Sequence, residues 1–366
     1  MPVPSQIEKE TRGNFKIISF IQEKNVKYAV IVFLIVFILT FLALRISLSN
    51  TTTEKIPICG DGTFYNTCSL TKPYFCNEGV LIEKASICGC NKNLAFSKEN
   101  DFCVSNYTQN PENQVLRYSL NGKKNEINFN VFEEAYNYAF NVSRVIYYEG
   151  SEMPFRSDFK IQSINNEIQR EILLPLVKKI QNLAPYDKTE QARIAVSVVQ
   201  QIPYGFSEKN DTFGDLEINH SRYPYEVLYD NQGICGEKSQ MLAFLLKELG
   251  YGVSIFYFAD ENHEAVGIKC PVEKSFYGSG YCFVETGGPS IISDFSMEFA
   301  NGMKLDSMPE ILLISDGISL PDDMYEYGDA KTLNDIRNKN LMGFLKFWKF
   351  NSIKEKYGLA EVYNLR

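Results

Sequence analysis

Cys235 stands where a cysteine can act as a nucleophile, in the segment NQGICGEKSQM that leads into an amphipathic helix. In the first turn of a helix, the macrodipole and the free backbone N–H groups favour negative charge, and therefore the attacking thiolate. The same N–H groups can bind the oxyanion of a tetrahedral intermediate. Because a buried and inert cysteine is the more common use of a lone cysteine, position alone does not decide between the two interpretations.

A cysteine nucleophile needs a partner that moves protons, and the chain has only two histidines. His263, in DENHEAVGIKC, begins a predicted strand, and a helix and a strand separate it from Cys235. That length of chain is enough to return a sheet edge to the helix start. His220, in EINHSRYP, lies in a loop, and we expect it to be exposed to solvent. His263 is the predicted base, and a hydrogen-bonded surface histidine in a turn is the alternative.

The third group, which would orient the imidazole, is predicted to be Glu285 in CFVETGG on the next strand. His263 precedes Cys270 by seven positions and Glu285 follows Cys282 by three, both odd numbers. If the two cysteines share one face of the sheet, His263 and Glu285 therefore share the other. The unequal separations leave an offset of four residues, which requires a bulge or cysteines that are not directly opposite. Asp294, in IISDF, is the rival, and a purely structural Glu285 is the other alternative.

The number and spacing of the nine cysteines indicate disulfides in an oxidising compartment, with one cysteine unpaired. Six of the nine crowd into a short segment, and this even number suits disulfides, although it does not define their connectivity. A metal site is disfavoured because the segment has no histidine and only one C-x-C pair. If Cys270 pairs with Cys282, Cys235 remains unpaired. The six residues are Cys59, Cys68, Cys76, Cys88, Cys90 and Cys103.

The elements that must position these groups point to an α+β fold, with a helical lobe and an antiparallel sheet. After Cys235, leucines recur at helical spacing until Gly250 closes the helix. Residues 253–258, 264–270 and 281–286 read as consecutive strands. Helices are predicted upstream over 165–183 and 188–202, and within 132–148, and a hairpin is predicted around Asn121-Gly122.

The N-terminal part predicts a membrane anchor. Residues 28–44 contain no charged side chain and are about long enough to span a bilayer. A cleaved signal peptide is the alternative, although the apolar segment is long for one. Basic residues concentrate before this segment, which places the N-terminus in the cytoplasm and the rest outside. Five Asn-x-Ser/Thr sequons all lie on the outer side, at Asn50, Asn106, Asn141, Asn210 and Asn219.

These observations divide the chain into six predicted parts. They are a cytoplasmic tail (1–27), a transmembrane helix (28–46), a stalk (47–57), a disulfide-rich module (58–104), a globular domain (115–330) and a C-terminal helical extension (331–366). The segment 107–114 reads as a linker. The net charge of −8, without a basic stripe, argues against a nucleic-acid partner.

The segments NQGICGEKSQMLAFLLKELGYGV, NHEAVGIKC and YCFVETGGPS together resemble the core of the transglutaminase-like superfamily. In that family, a Gly-x-Cys at a helix start is followed by a histidine and then an acidic residue on successive strands. The similarity covers roughly residues 170–295, and VVQQIPYGF, RYPYEVL and the Cys-rich segment resemble membrane-anchored archaeal members. Two features depart from the family pattern: the third residue is Glu rather than Asp, and the oxyanion partner is undefined, with Gln200 and Gln201 as candidates.

The resemblance implies a papain-like fold and thiol-dependent acyl transfer on amides, with a Cys235–His263–Glu285 triad and no metal or other cofactor. We expect a protein or peptide substrate, and favour hydrolysis of peptide or isopeptide bonds slightly over cross-linking. A non-catalytic binding or scaffold module on the same fold is the alternative function. The C-terminal segment 333–359 is expected to pack on the domain, and docking on a membrane or a partner is its alternative. The oligomeric state is not defined by the sequence.

Overall fold

The computed structural model describes residues 32–41, 57–213, 216–296, 304–338 and 343–359. Residues 1–56 and 57–366 are two separate units. In the first unit, residues 32–41 are helical and their side chains are exposed. Within the described ranges, no helix has both the length and the apolar character needed to cross a membrane. The predicted cytoplasmic tail, the ends of the predicted span and the stalk before residue 57 lie outside the described residues.

The second unit mixes helices with antiparallel strands. In chain order its elements are β1 (Tyr74–Asn77), β2 (Val80–Glu83), α1 (Ala85–Cys88), β3 (Ala95–Ser97), β4 (Phe102–Val104), β5 (Glu112–Leu120), β6 (Lys123–Val131), α2 (Glu133–Asn141), α3 (Arg156–Ile164), α4 (Glu167–Leu183), α5 (Lys188–Gln201), β7 (Asn210–Phe213), β8 (Leu216–Asn219), α6 (Pro224–Asp230), α7 (Cys235–Glu248), β9 (Val253–Phe258), β10 (His263–Lys269), β11 (Tyr281–Val284), β12 (Glu310–Ser315), α8 (Tyr325–Arg337) and α9 (Gly343–Tyr357).

A four-stranded antiparallel sheet, in the order β11-β10-β9-β12, forms one layer. The three predicted strands are confirmed, and β12 joins them as an edge strand that the sequence pattern did not reveal. Helix α7 packs on this sheet, and its Leu242, Leu245 and Leu246 are completely buried in the core that it shares with β9 and β10. Gly250 ends the helical segment at φ +97°, a conformation that costs glycine little. The helix begins at Cys235, in agreement with the prediction that it starts close to this residue.

Helices α4 and α5 cover the other side of α7 and complete the main core. Both were predicted, and each begins at a side-chain cap: Asn166 accepts from the N–H of Gln169, and Asp187 accepts from that of Glu190. The hairpin predicted at Asn121-Gly122 is formed by β5 and β6. Because β5 begins at Glu112, the segment predicted as a linker already belongs partly to this hairpin.

The disulfide-rich segment has three bridges: Cys59–Cys76, Cys68–Cys88 and Cys90–Cys103. The prediction that these six cysteines pair among themselves is confirmed. The segment packs directly on α4, where Asp61 forms an ion pair with the buried Lys178 at 3.2 Å. The side chain of Asn182 also exchanges two hydrogen bonds with the backbone of Leu81. The bridges compensate for the small core of this segment.

The C-terminal helices α8 and α9 pack together around a small apolar cluster that includes Leu333, Ile336, Phe350 and Ile353. Lys356 of α9 forms an ion pair with Asp329 of α8 at 2.6 Å. The C-terminal segment is therefore helical and packed on the domain, as expected. Two aromatic side chains of α9, Phe347 and Trp348, remain exposed.

Candidate active site

The start of helix α7 is held by a buried carboxylate, that of Glu237 in the first turn. It accepts from the N–H of Ile234 at 3.0 Å and from the N–H of Arg222 at 2.8 Å. Arg222 Nη1 adds a third contact at 3.2 Å. An acid in the first turn also complements the positive end of the helix dipole. Cys235, the first residue of α7, is thereby fixed at an anchored helix terminus.

Cys235 is the cysteine that is left over. The eight others form four disulfides, the fourth of them Cys270–Cys282, and Cys235 is half-buried with a free thiol. Its main-chain carbonyl accepts from Thr286 Oγ1 at 3.2 Å, and Thr286 in turn contacts Ser239 Oγ at 3.0 Å. The start of the helix is thus tied to the segment that follows β11.

His263 and Glu285 meet in the structure, with 2.8 Å between Nε2 and Oε2. Both residues are buried, with 5% and 3% of their surface exposed. The strand register explains how the predicted offset of four residues closes. Ile268 faces Cys282, so Cys270 lies two residues beyond the position opposite Cys282. If this register is continued, His263 lies opposite position 287, two residues after Glu285. His263 and Glu285 are therefore diagonal neighbours, close enough for their side chains to meet.

The second carboxylate oxygen of Glu285 is held by the backbone. Oε1 accepts from the N–H of Thr286 at 3.0 Å and from the N–H of Gly287 at 2.6 Å. Gln200, from the end of α5, fixes the same segment, because its Nε2 donates to the carbonyl of Glu285 and to both oxygens of Ser290. The amide nitrogen of Gln200 is therefore used to position the Glu285 segment. Gln201 remains a candidate oxyanion donor.

The imidazole of His263 interacts with both the thiol and the carboxylate. Burial lowers the pKa of His263, but hydrogen bonds to Cys235 and then to Glu285 raise it more strongly, to about 10. Because Glu285 occupies Nε2, Nδ1 is the nitrogen that can exchange a proton with Cys235. At neutral pH the ring is therefore an imidazolium between two potential anions. This arrangement can support a thiolate and later supply a proton to a leaving group.

The structure also shows the contacts of Asp294 and His220, the two other acid and histidine candidates. Asp294, the rival of Glu285, accepts from Nη1 and Nη2 of Arg337 at 2.6 and 2.9 Å. The prediction that His220 is exposed is wrong: only 2% of its surface is accessible. Its ring is held between Asp211 and Glu226, at 2.9 and 2.6 Å. A polar loop sequence did not reveal this because the carboxylates come from separate elements.

Two further residues beside the thiol were not identified from the sequence. Lys238 is completely buried one turn after Cys235 and donates to main-chain carbonyls. Its position four residues before Leu242 was a usable signal, since it puts a lysine on the apolar stripe of α7. Tyr204 pairs with Gly233 in an isolated bridge, and its phenol is electrostatically coupled to Cys235. Burial is the main cause that raises the pKa of this tyrosine.

Across the described residues, no group of three or more His, Cys, Asp or Glu side chains is arranged to hold a metal ion. Comparison with protein families, with curated proteins and with solved structures gave no match. The geometry around Cys235 therefore has to be interpreted from its own chemistry.

Proposed function

We propose that this protein is a cysteine enzyme that cleaves or transfers amide bonds through Cys235, His263 and Glu285. The contact that carries the proposal is the 2.8 Å hydrogen bond between His263 and Glu285. The same histidine is also hydrogen-bonded to the free thiol of Cys235. A nucleophile, a proton carrier and an orienting carboxylate in this order are the minimal set for thiol-dependent acyl transfer. The order is also that of the transglutaminase-like superfamily, to which we assign the chain as part of the proposal.

The proposed chemistry proceeds in two steps. Cys235 Sγ attacks the carbonyl carbon of the substrate amide, the C–N bond breaks, and the imidazolium of His263 gives its proton to the leaving amine. The product is a thioester on Cys235. Water or a second amine then attacks this thioester, with His263 accepting the proton of the incoming nucleophile, and the thiolate is released.

The surroundings of the helix start fit the electrostatic needs of this reaction. The first intrahelical bond of α7 runs from the N–H of Lys238 to the carbonyl of Ile234. The N–H groups of Cys235 and Gly236 precede it and are suited to hold an oxyanion. A Cβ at position 236 would lie 3.0 Å from Glu264 Oε2, which is a tight contact. Glycine at this position avoids that contact beside the helix start.

We further propose that the enzyme acts on a protein or peptide at the outer face of a membrane, held by the N-terminal segment, with hydrolysis slightly favoured. The four disulfides are consistent with an extracellular domain. The apolar segment at 28–44 supports an anchor. Acyl transfer to an amine would use the same thioester.

The proposal is tested by labelling the full chain, in detergent, with a biotin-linked iodoacetamide between pH 6 and 8, followed by peptide mapping. We expect labelling at Cys235 alone, about tenfold faster in the folded than in the urea-unfolded chain, because a stabilised thiolate reacts faster at neutral pH. Cys235→Ser removes the label and His263→Asn slows it, whereas the matched variant His220→Gln keeps it. If folded and unfolded chains react equally, the catalytic proposal fails and a binding or scaffold module is the better description.

A further inference from the structure

Lys238 is buried like a residue of the core, although its side chain carries an ammonium group. Its side chain is fully buried, and Nζ donates to the carbonyl of Ile202 at 2.6 Å and to that of Gly287 at 3.3 Å. Among the described residues, the other buried lysine is Lys178, which pairs with Asp61. Lys238, by contrast, makes no ion pair with a carboxylate of the described residues. A buried ammonium without such a partner is costly, so packing alone does not account for it.

The two carbonyls belong to two different backbone segments, each of which carries a residue of the site. Ile202 follows α5 and leads to Tyr204, whereas Gly287 follows Glu285 by two residues. Gly287 is held from both ends, since its N–H donates to Glu285 Oε1 and its carbonyl accepts from Lys238. The Lys238 side chain thus links the Cys235 helix to the segment that orients the Glu285 carboxylate.

We infer that Lys238 is a positioning residue for the proposed acyl transfer: it fixes the Glu285 segment against helix α7 and supplies positive charge that stabilises the Cys235 thiolate. This inference rests on the proposed function of Cys235. Spacing supports it, because residues three apart in a helix lie on the same side, so the Lys238 side chain leaves α7 on the side that carries Cys235.

Electrostatics agree with this geometry. Burial lowers the pKa of Lys238 to about 8, while the charges of Glu285 and Cys235 act in the opposite direction. The ammonium is therefore still mostly protonated at pH 7 and loses its charge through pH 8. Other titratable groups of the site are His263 on the sheet and Tyr204 on the segment after Ile202, both of which interact with Cys235. Glu237 precedes Lys238 on the same helix. In this enclosed site, one cation has a larger effect on a thiolate than it would have in water.

The test is the pH profile of Cys235 alkylation by iodoacetamide in the full chain. Lys238→Met keeps an unbranched side chain, one atom shorter than that of lysine, and removes its charge. We expect the midpoint of the profile to rise by about one pH unit, so that alkylation at pH 6 slows about tenfold. Lys238→Gln retains N–H donors without the charge, is the variant to use if the methionine form does not fold, and should show a similar rise.

Lys178→Met is the matched control, since it also removes a buried lysine but at the contact with the disulfide-rich segment. It should lower the thermal midpoint and leave the alkylation profile unchanged. A profile that stays in place in folded Lys238→Met or Lys238→Gln overturns the positioning role, even if stability falls. Failure of the proposed function is recognised separately, because the thiol of the unsubstituted chain would then react no faster folded than unfolded.

Discussion

His263 and Glu285 lie diagonally across two antiparallel strands, and their side chains close the distance to 2.8 Å between Nε2 and Oε2. The disulfide Cys270–Cys282 is also diagonal across the same strand pair. It involves residues of the opposite parity on both strands. One face of the pair therefore carries the covalent bridge, and the other carries the proposed base and its orienting carboxylate.

Replacing Glu285 by Gln should lower the pKa of His263 from about 10 towards its usual range, because the hydrogen bond and the charge of Glu285 both raise it. With only two histidines in the chain, the His263 ring can be followed by NMR after ¹³C labelling, and His220→Gln assigns the signals. Alkylation of Cys235 at pH 7 should slow about tenfold or more. An unchanged titration of His263 in Glu285→Gln would contradict the assigned role of the carboxylate.

The stability of the folded chain should fall as the pH rises above neutrality. The pKa of His263 is raised on folding from 6.5 to about 10, so its contribution is complete below pH 6.5 and is lost as the pH rises to about 10. We expect a loss of a few kcal/mol over this window, since each pKa unit is about 1.4 kcal/mol. Urea unfolding at several pH values measures it. His263→Asn should flatten the dependence, and a profile equally steep in that variant would argue against this source.

His220 should make its own contribution at a distance from the thiol. Burial lowers its pKa, but hydrogen bonds to Glu226 and Asp211 raise it by more, so its stabilisation is also present below pH 6.5 and lost as the pH rises through the raised value. Among the described residues, His220→Leu leaves the fully buried Glu226 with Arg144 as its one charged partner. We expect a loss of about 2–3 kcal/mol in urea unfolding. Glu126→Gln, at an exposed ion pair with Arg117, is the control and should change stability little.

Removal of the Cys270–Cys282 bridge should destabilise the sheet beside the site. The bridge closes a loop with a sequence separation of 12, for which chain entropy predicts about 3 kcal/mol. The double variant Cys270→Ala/Cys282→Ala should show this loss in urea unfolding. It also leaves Cys235 labelling intact wherever the chain remains folded. A stability equal to that of the unsubstituted chain would mean that the bridge adds nothing to the sheet.

Local patterns in the sequence were sufficient for much of the architecture and for the choice of Cys235 and His263 as candidate residues. Apolar spacing located helices α4, α5 and α7 and strands β9, β10 and β11. A helix or strand that buries one face needs apolar residues at its own period, and that period is visible in the sequence. The cysteine count isolated Cys235, since disulfides pair in twos. The parity of positions along two strands placed His263 and Glu285 on one face.

Only the tertiary structure decided the contacts between distant segments. The sequence favoured Glu285 but left Asp294 as a rival, because their contacts depend on register and on Arg337, which comes from a later helix. The buried state of His220 and the main-chain partners of Lys238 were hidden for the same reason. Their partners are carboxylates and main-chain carbonyls of other elements. The local sequence does not show which groups from distant segments will come into contact.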